Sequence, residues 1–360
     1  MKITFVVPTL NLSGGLRVIS VYAKLLSQRG HQVTVVSPSD KTNKIQRFKN
    51  KIFKKEIFKI NFDDTYFQDA NYSVKVLEQN RSVTESDVPD ADIIIATFWY
   101  TAEWIKNFPE AKGKKVYFIQ HYEMHPWLPL DRVTGTFQFP FKKIVVSKWI
   151  ADCLLNNHGV NDISIVGNGV DHELFHAPPR RKQKKLTVGL MYADEKSFKG
   201  CDTSLASIEI AKKTFPDLKV IAFAAHPPRL SLPLPLNTEF HLKPDQDKLR
   251  DIYSSCDVWL FGSRLEGFGL PLLEAMACRT PIIATKAGVA PELLADATSG
   301  FLIDIDDVNS MSAAILSIGA MTNSDWEVMS NNAYLKSKVY DWDTKVDEFS
   351  SVLIELLKND

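Results

Sequence analysis

The sequence carries no surplus of charge of either sign, because 43 lysines and arginines balance 43 aspartates and glutamates among its 360 residues. Proteins that bind nucleic acid through its phosphates usually carry a basic excess, so we expect no nucleic-acid partner. No apolar stretch is long enough to cross a bilayer as a helix, and the opening run at residues 1–8 is too short for a secretory signal peptide. These absences disfavour both a nucleic-acid-binding protein and an integral membrane protein.

Cysteine is sparse and scattered. The four cysteines, Cys153, Cys201, Cys256 and Cys278, form no CxxC pair and none of the spacings typical of a zinc site. Unpaired cysteines suit a reducing compartment better than an extracellular disulfide framework, so we expect a cytoplasmic protein. The pattern GxGxxG follows no strand-like run in either half of the chain, which excludes the usual signature of a dinucleotide-dependent dehydrogenase.

Buried-strand runs alternate with helical periodicity along the chain, which predicts a parallel α/β architecture. The first unit has a strand at 3–7, a polar loop at 9–15, a helix at 16–28 and then a second strand. A charged stretch at 180–185, after two prolines, is typical of a linker, and the same pattern restarts behind it. The sequence therefore predicts two doubly wound domains divided near residue 175, with ligands bound in the cleft beyond the carboxyl ends of their strands.

One loop of the second domain has the features of a ligand site. A strand at 258–261 runs into a glycine-containing loop, and Pro271 then opens a helix. The glycines allow close approach of the backbone, and the helix N-terminus favours a phosphate. Glu266 lies just before this helix and Glu274 about one turn inside it. Two carboxylates would repel a diphosphate but can each accept hydrogen bonds from adjacent hydroxyls, so a nucleotide sugar fits the layout.

The run EGFGLPLLEAMA at 266–277 resembles the E-x7-E motif of the retaining glycosyltransferases of family 4. Similar features follow in the order of that family, namely the glycine pair Gly14 and Gly15, the NGVD segment at 168–171 with Phe175, the pair Lys199 and Gly200, the run PIIATKAG at 281–288, and Asp341 with Trp342. The resemblance covers nearly the whole chain. It implies the GT-B fold, in which two Rossmann-like doubly wound domains face each other across a cleft.

The resemblance also implies domain bounds and a reaction. An N-terminal acceptor-side domain would span 1–172, a nucleotide-sugar-binding domain 173–342, and a C-terminal helix at 343–360 would cross back to the first domain. The expected enzyme moves a hexosyl or deoxyhexosyl group, with retention of configuration, to a glycan or lipid-linked acceptor in polysaccharide biosynthesis. The acceptor would attack on the face of the leaving group, without an obvious protein nucleophile.

Roles for individual residues follow from the same resemblance. Glu266 would contact the donor sugar, Lys199 the diphosphate, and His121 would lie near the reacting centre. Glu274 would bind the nucleotide ribose. The remaining expected donor contacts are the backbone of Gly267, Phe268, Gly269 and Leu270, together with Gly15 and Asn168. Gly15 would lie near the donor phosphate or the acceptor.

One departure from the family pattern concerns a cation. The family usually has an arginine shortly before the lysine, but the run 189–200 contains none. Lys196 or Arg264 would have to replace it, unless the donor is held differently. The departure leaves open a catalytically silent subunit that binds sugar nucleotides. A GT-B-like epimerase or phosphorylase is a further alternative, and the context of a phosphorylase's cofactor lysine is absent.

Two motifs resemble metal sites without predicting one. Asp304 and Asp306 spell D-x-D, but a helix follows, so Asp306 or Asp307 is expected to cap it. His121 and His125 flank a carboxylate in a loop, where residues four apart do not share a face as they do on a helix. We therefore expect neither a metal nor a cofactor.

The segment 41–59 interleaves eight basic residues with isoleucine and phenylalanine. This pattern suits an anionic membrane surface, which would make the protein peripheral on the inner face of the membrane. A solvated crossover between two strands explains the pattern equally well. The tryptophans Trp99, Trp104, Trp127 and Trp149 are expected in the core or at its rim rather than as sugar platforms. The segment 127–130, with Phe137, Phe139 and Phe141, is also expected to add apolar loop surface near the acceptor side.

Overall fold

The computed structural model describes residues 1–40, 65–194 and 198–358. The basic segment 41–59 and Lys196 lie outside the described residues. Elements are numbered below as they occur in the described part of the chain. Within that part, no helix combines the length and the apolar character needed to cross a membrane. The chain divides into two compact units, the first made of Met1–Val146, Ile150–Val166 and Val346–Asp360, and the second of Ser147–Trp149 and Gly167–Lys345.

The first unit is built on a seven-stranded sheet in which every strand pair is parallel. Its strands are β1 (Lys2–Val6), β2 (Gln32–Ser37), β3 (Ser73–Val76), β4 (Ile93–Ala96), β5 (Lys114–Ile119), β6 (Lys142–Val145) and β7 (Ile163–Ile165). Their spatial order is β3-β2-β1-β4-β5-β6-β7. The order reverses between β1 and β4, which is the position where doubly wound sheets bind their ligands.

Four helices described in this unit cover the sheet, namely α1 (Gly14–Gln28), α2 (Trp99–Ile105), α3 (Leu130–Phe137) and α4 (Lys148–His158). Helix α1 buries a stripe that includes Leu16, Ile19 and Tyr22. The sequence interpretation placed Gly14 and Gly15 in the loop before α1, but they form its first turn. The error arose because the apolar periodicity begins only at Leu16, whereas the helix itself begins two residues earlier, at glycines that have no apolar side chain to bury.

The second unit repeats the plan with a six-stranded parallel sheet of order β10-β9-β8-β11-β12-β13. The strands are β8 (Thr187–Met191), β9 (Lys219–Ala224), β10 (Glu239–Leu242), β11 (Val258–Phe261), β12 (Ile282–Thr285) and β13 (Gly300–Ile303). The helices are α5 (Cys201–Lys212), α6 (Gln246–Ser254), α7 (Leu270–Ala277), α8 (Ala290–Leu294), α9 (Val308–Ala320) and α10 (Asn323–Ser337). The expectation of two doubly wound parallel sheets is confirmed. In this sheet the order reverses between β8 and β11.

The last helix, α11 (Trp342–Lys358), brings its C-terminal part into the first unit. Phe349 is fully buried there, with its ring 4.7 Å from that of Tyr22 and 5.1 Å from that of Phe118. Arg29 and Asp347 add an ion pair at 2.6 Å. The expected return of the C-terminal helix to the first domain is confirmed, and three packed aromatic rings hold it there.

Candidate functional site

The loops that follow β8 and β11 pass each other in backbone contact. Gly200 has a φ of 58° and precedes α5. A Cβ at position 200 would lie 1.9 Å from the carbonyl oxygen of Gly262, and one at position 262 would lie 2.7 Å from that of Gly200. Any side chain at either position would therefore clash, so both must be glycine for the loops to meet. Because β8 and β11 are the switch-point strands, this contact lies where ligands of such sheets bind.

The loop contact brings Lys199 and Glu266 together. Lys199 Nζ lies 2.5 Å from Glu266 Oε2, and the two side chains are 20% and 12% exposed. Ser263 donates a second hydrogen bond to the same carboxylate oxygen, at 3.2 Å. The carboxylate is therefore held by a cation and a hydroxyl at the mouth of the loop that leads into α7. Charge-assisted pairs of this kind, with little solvent around them, are stronger than pairs on an open surface.

Arg264, which lies close to this pair in the same loop as Glu266, forms ion pairs with other carboxylates. Its guanidinium donates to Asp202 at 2.6 Å and to Asp306 at 2.8 Å. Burial opposes ionisation of Asp202, but the hydrogen bond and charge of Arg264 outweigh it and lower the pKa of that carboxyl. The backbone N–H of Arg264 also donates to the carbonyl of Phe198 at 2.6 Å. Arg264 thus fastens the loop after β11 to the N-terminus of α5 and to the loop after β13.

Glu274 lies in a different environment from Glu266. Its side chain is 4% exposed and accepts a hydrogen bond from the Tyr253 hydroxyl at 2.9 Å. The Tyr253 ring packs edge-on against Trp259 at 4.7 Å. The second carboxylate of the motif is therefore fixed within the body of the domain by an aromatic cluster, whereas the first belongs to the loop.

The loop between the two glutamates is shaped by close backbone contacts. Gly269 precedes α7 with a φ of 107°, and a Cβ there would lie 2.8 Å from the Phe261 ring. Phe268 accepts a backbone hydrogen bond from Val289 at 2.8 Å, and a Cβ on Gly288 would lie 2.3 Å from the same carbonyl. The first N–H groups of a helix lack intrahelical partners, so the turn that begins at Leu270 has donors to offer a ligand. Gly288, which sequence reasoning treated only as part of a matching run, is required by this packing.

Asn168 lies beside this loop. Its side chain is 3% exposed, and its Oδ1 is buried without a hydrogen-bond partner among the described residues. The preceding Gly167 packs on the Phe268 ring, 3.2 Å from its Cβ position, and Gly169 packs on Trp342. The second unit therefore brings together Lys199, Glu266 and the turn at 267–270, with Glu274 behind them on α7, and Asn168 follows the glycine that packs on Phe268.

The other two expected site residues, Gly15 and His121, belong to the first unit. They lie beyond the carboxyl ends of β1 and β5. A Cβ on Gly15 would lie 3.8 Å from the side chain of Gln120, the residue before His121. The structure thus places Gly15 and His121 at one edge of the first sheet.

Glu123, two residues after His121, is a buried carboxyl group that sequence reasoning considered only as part of a metal pattern. Its Oε2 accepts hydrogen bonds from the Trp99 backbone N–H at 3.0 Å and from the Tyr117 hydroxyl at 3.2 Å. Burial raises the pKa of Glu123 to about 8, and the two hydrogen bonds offset only part of this effect. The carboxyl group fastens the loop that carries His121 to the N-terminus of α2.

The acidic residues of the D-x-D run have structural partners. Asp306 binds Arg264 and Thr203, and Asp304 pairs with Lys286 at 2.5 Å. Asp307 caps α9 by accepting the N–H of Ser310 at 2.9 Å, so the expected helix cap is confirmed at that residue. Over the described ranges, no cluster of three His, Cys, Asp or Glu side chains is arranged to hold a metal ion.

Two protein-family models match successive parts of the chain. The model described as Glycosyltransferase Family 4 matches residues 12–174, and the model described as Glycosyl transferases group 1 matches residues 175–336. An uncharacterized glycosyltransferase of Methanocaldococcus jannaschii is 26% identical over 301 residues, which cover 81% of this chain and 82% of that protein. The O-antigen chain mannosyltransferase B of Escherichia coli is 34% identical over 101 residues, which cover 28% of this chain and only 25% of the mannosyltransferase.

Among solved structures, Anabaena Alr3699/HepE in complex with UDP-glucose matches with a TM-score of 0.75 and 17% identity. The match covers 99% of this chain and 100% of the other. At this identity the likeness shows a shared fold. That fold is GT-B, with two Rossmann-like domains that each hold a parallel sheet, as the sequence resemblance implied.

Proposed function

The chain belongs to the glycosyltransferases of family 4 and group 1, and from this premise we propose that it transfers a sugar from a nucleotide-sugar donor to a glycan or lipid-linked acceptor, with retention of configuration. The observation that carries the proposal is the Lys199–Glu266 pair at the loop that leads into α7. A cation for phosphate and a carboxylate for sugar hydroxyls lie side by side there, next to a helix N-terminus.

The donor is proposed to lie along the loop between the two glutamates. Glu266 accepts hydrogen bonds from hydroxyls of the transferred sugar, and the buried Glu274 accepts them from the ribose. Lys199 and the N–H groups of the turn at 267–270 contact the diphosphate between these ends. Asn168 contributes its buried Oδ1, which has no partner among the described residues, to the same site.

Bond breaking places negative charge on the leaving diphosphate. Lys199 and the N-terminus of α7 stabilise that charge in a partly buried site, where fixed charges and dipoles act more strongly than in water. Glu266 is assigned to hydroxyl binding rather than nucleophilic attack, because its carboxylate is already engaged by Lys199 and Ser263. The acceptor oxygen attacks on the face of the leaving group. His121 is proposed to lie near this reacting centre.

The relatives support a starting choice of donor and acceptor. A structural neighbour was solved with UDP-glucose, so UDP-hexoses are the first donors to test. A relative is named for O-antigen chain mannosylation, which supports a growing polysaccharide as the acceptor class. Cytoplasmic polysaccharide biosynthesis, at the inner face of the membrane if the segment 41–59 binds anionic lipid, is the proposed setting.

A catalytically silent subunit is the second candidate, and one observation favours it. The family's usual arginine is absent. Arg264, the described cation that could replace it, is already paired with Asp202 and Asp306. A protein with one phosphate-binding cation fewer binds a diphosphate more weakly. Turnover measurements separate this candidate from the enzyme, whereas binding measurements alone do not.

The proposal is tested with UDP-, GDP-, ADP- and dTDP-sugars. A ligand that binds only the folded protein raises its melting temperature, so the correct donor is found by thermal shift. Release of the nucleoside diphosphate from that donor, with water or added methyl glycosides to accept the sugar, is then measured for the wild type, Lys199→Ala and Glu266→Ala. The enzyme releases it and both variants do not; a thermal shift without release identifies the silent subunit. If none of the sugars or free nucleotides shifts the melting temperature, the proposed function is wrong.

A further inference from the structure

The loop at 121–129, between β5 and α3, contains a stack of three aromatic rings. The ring of His121 lies 5.0 Å from that of His125 with an interplanar angle of 28°. The ring of His125 lies 4.6 Å from that of Trp127 with an angle of 8°. The stack therefore begins at His121, the residue assigned to the reacting centre, and ends at Trp127 after two ring-to-ring contacts.

Trp127 is the exposed end of this stack. Its side chain is 70% exposed, in contrast to Trp99, which is 7% exposed. A core position for Trp127 is therefore wrong, and its exposure agrees with the other expectation, that residues 127–130 add apolar loop surface. Because His125 covers one face of the indole, the exposed area includes the opposite face. A large apolar ring in this position contributes little to the hydrophobic core, so packing alone does not account for it.

The orientation of the indole is fixed by the loop beneath it. The buried Glu123 anchors the loop through Trp99 and Tyr117, and the Leu128 N–H donates to the His125 carbonyl at 2.9 Å. Burial lowers the pKa of His125, so its ring is uncharged at neutral pH and stacks as an aromatic surface. A ring held in one plane loses little conformational entropy when a ligand binds, which favours binding.

We propose that Trp127 is the acceptor-binding platform of the enzyme, on which a pyranose ring of the acceptor glycan stacks by its apolar C–H face. This inference rests on the proposed function. A pyranose presents C–H groups on one face and hydroxyls around its edge, and a flat exposed indole removes that face from water while leaving the hydroxyls hydrated. The ring separations of 5.0 and 4.6 Å keep Trp127 close to His121, so the stacked sugar is assigned to another unit of the acceptor glycan than the reacting one.

The charge of the loop favours a sugar over a lipid surface as its occupant. Residues 121–131 include Trp127, Leu128 and Leu130 but no lysine or arginine, and they contain the acidic Glu123 and Asp131. Contact with an anionic membrane needs basic residues beside the apolar ones. The nearby Arg132 is engaged by Glu103 at 2.5 Å and lies over the Trp99 ring. A neutral polyhydroxyl ligand meets no electrostatic obstacle here.

The first test observes the indole directly. The protein is labelled with 5-fluorotryptophan, and the resonance of Trp127 is assigned from its loss in Trp127→Phe. The probes are the methyl α-glycosides of glucose, mannose, N-acetylglucosamine and rhamnose, with glycerol as the control for a polyol without a ring. We expect the Trp127 resonance to shift in a saturable manner with at least one glycoside and not with glycerol. No shift with any glycoside overturns the proposal, as does a shift produced only by phosphatidylglycerol vesicles.

The second test separates the acceptor platform from the donor site. Release of nucleoside diphosphate is measured with the best donor and, as acceptor, the methyl glycoside of a disaccharide built from the sugar that shifts the resonance most, so that one ring can react while the other stacks on Trp127. We expect Trp127→Ala to raise the KM for the glycoside about tenfold, Trp127→Phe to restore most of the loss, and the donor KM to change less than about twofold. Leu230→Ala, which alters a fully exposed apolar side chain elsewhere, serves as the control. An unchanged glycoside KM in Trp127→Ala overturns the proposal.

The two proposals fail in different ways. If the nucleotide sugars do not bind the wild type, the proposed function is wrong whatever Trp127 does. If they bind and turn over while the Trp127 resonance stays fixed, only the acceptor platform is wrong.

Discussion

Lys199 and Glu266 form an ion pair with 2.5 Å between Nζ and Oε2, across two loops that are 67 residues apart in the chain. In the proposed reaction each group has a second partner, diphosphate for the ammonium and sugar hydroxyls for the carboxylate. The pair therefore keeps both side chains in place and mutually neutralised before the donor binds. Its low exposure makes each charge costly to leave alone.

The first prediction concerns the removal of this cation. Lys199→Ala leaves the Glu266 carboxylate beside the incoming diphosphate without a counter-charge. We expect kcat to fall at least about a hundredfold, which corresponds to roughly 3 kcal/mol of lost transition-state stabilisation. The control is Lys185→Ala, which removes a lysine paired with Asp217 at 3.5 Å on the surface of the same unit. Equal rates in the two variants would exclude Lys199 from the reaction.

The second prediction concerns Arg264 as a positioning residue. Arg264→Gln removes the ion pairs to Asp202 and Asp306 that fasten the loop carrying Glu266. We expect kcat to fall about tenfold with a smaller change in donor KM, because loosened geometry at the reacting centre costs rate more than binding. Asp202→Asn is the matched variant and should give a similar loss. If Arg264 instead bound the diphosphate itself, donor KM would rise strongly in Arg264→Gln but not in Asp202→Asn.

Much of the fold follows from local pattern. Buried apolar runs such as 93–96 and 282–285 predict parallel strands. The loop from Glu266 to Pro271 has the composition of a phosphate-binding turn. The pairing of Lys199 with Glu266 cannot be predicted from local sequence pattern. It depends on the backbone contact between Gly200 and Gly262, which is a property of the folded sheet.

The environment of Arg264 escaped prediction for the same reason. As a single cation near the motif it was a candidate to replace the missing arginine, and only the folded chain shows that Asp202 and Asp306 hold it. The position of Trp127 was left open by the sequence. Tryptophan is usually well buried, which favoured the core or its rim, whereas the apolar segment 127–130 favoured loop surface. Its exposure follows from the stack on His125, which no periodicity encodes.

The third prediction concerns pH. Burial raises the pKa of Glu123 to about 8, whereas an unperturbed glutamate titrates near 4.5. Between these values the folded protein keeps a proton that the unfolded chain has lost, so protonation favours folding and stability falls as the pH rises. The loss begins near pH 4.5, is complete near pH 8, and amounts to a few kcal/mol.

Glu123→Gln should remove this pH dependence, because the amide oxygen accepts the same two hydrogen bonds from Trp99 and Tyr117 without ionising. Denaturant unfolding of the wild type and the variant at several pH values from 5 to 8 provides the measurement. We expect the wild-type free energy of unfolding to decline over this range relative to the variant. Parallel curves would show that the carboxyl group ionises as freely in the folded protein as in the unfolded chain.

The fourth prediction concerns Gly15, and asks whether a glycine at this position is needed to leave room for the substrate or to allow the protein to pack. Among the described residues, the atoms nearest to a Cβ at Gly15 belong to the Gln120 side chain, at the ordinary contact distance of 3.8 Å, and a Cβ at Gly14 meets nothing within 4 Å. Both glycines lie in the first turn of α1, where alanine is a better helix former by up to about 1 kcal/mol. The fold therefore tolerates alanine at either position, and the melting temperature should stay constant or rise.

Activity should respond differently, because the resemblance assigns Gly15 to the neighbourhood of the donor phosphate or the acceptor. A methyl group there takes up space that the substrate needs, so we expect Gly15→Ala to lower kcat/KM at least about tenfold while the protein remains fully folded. Gly200→Ala is the contrasting variant, since its Cβ would lie 1.9 Å from Gly262 and should lower the melting temperature as well. A Gly15→Ala enzyme with wild-type kcat/KM would place the substrate elsewhere, because no clash among the described residues requires glycine at that position.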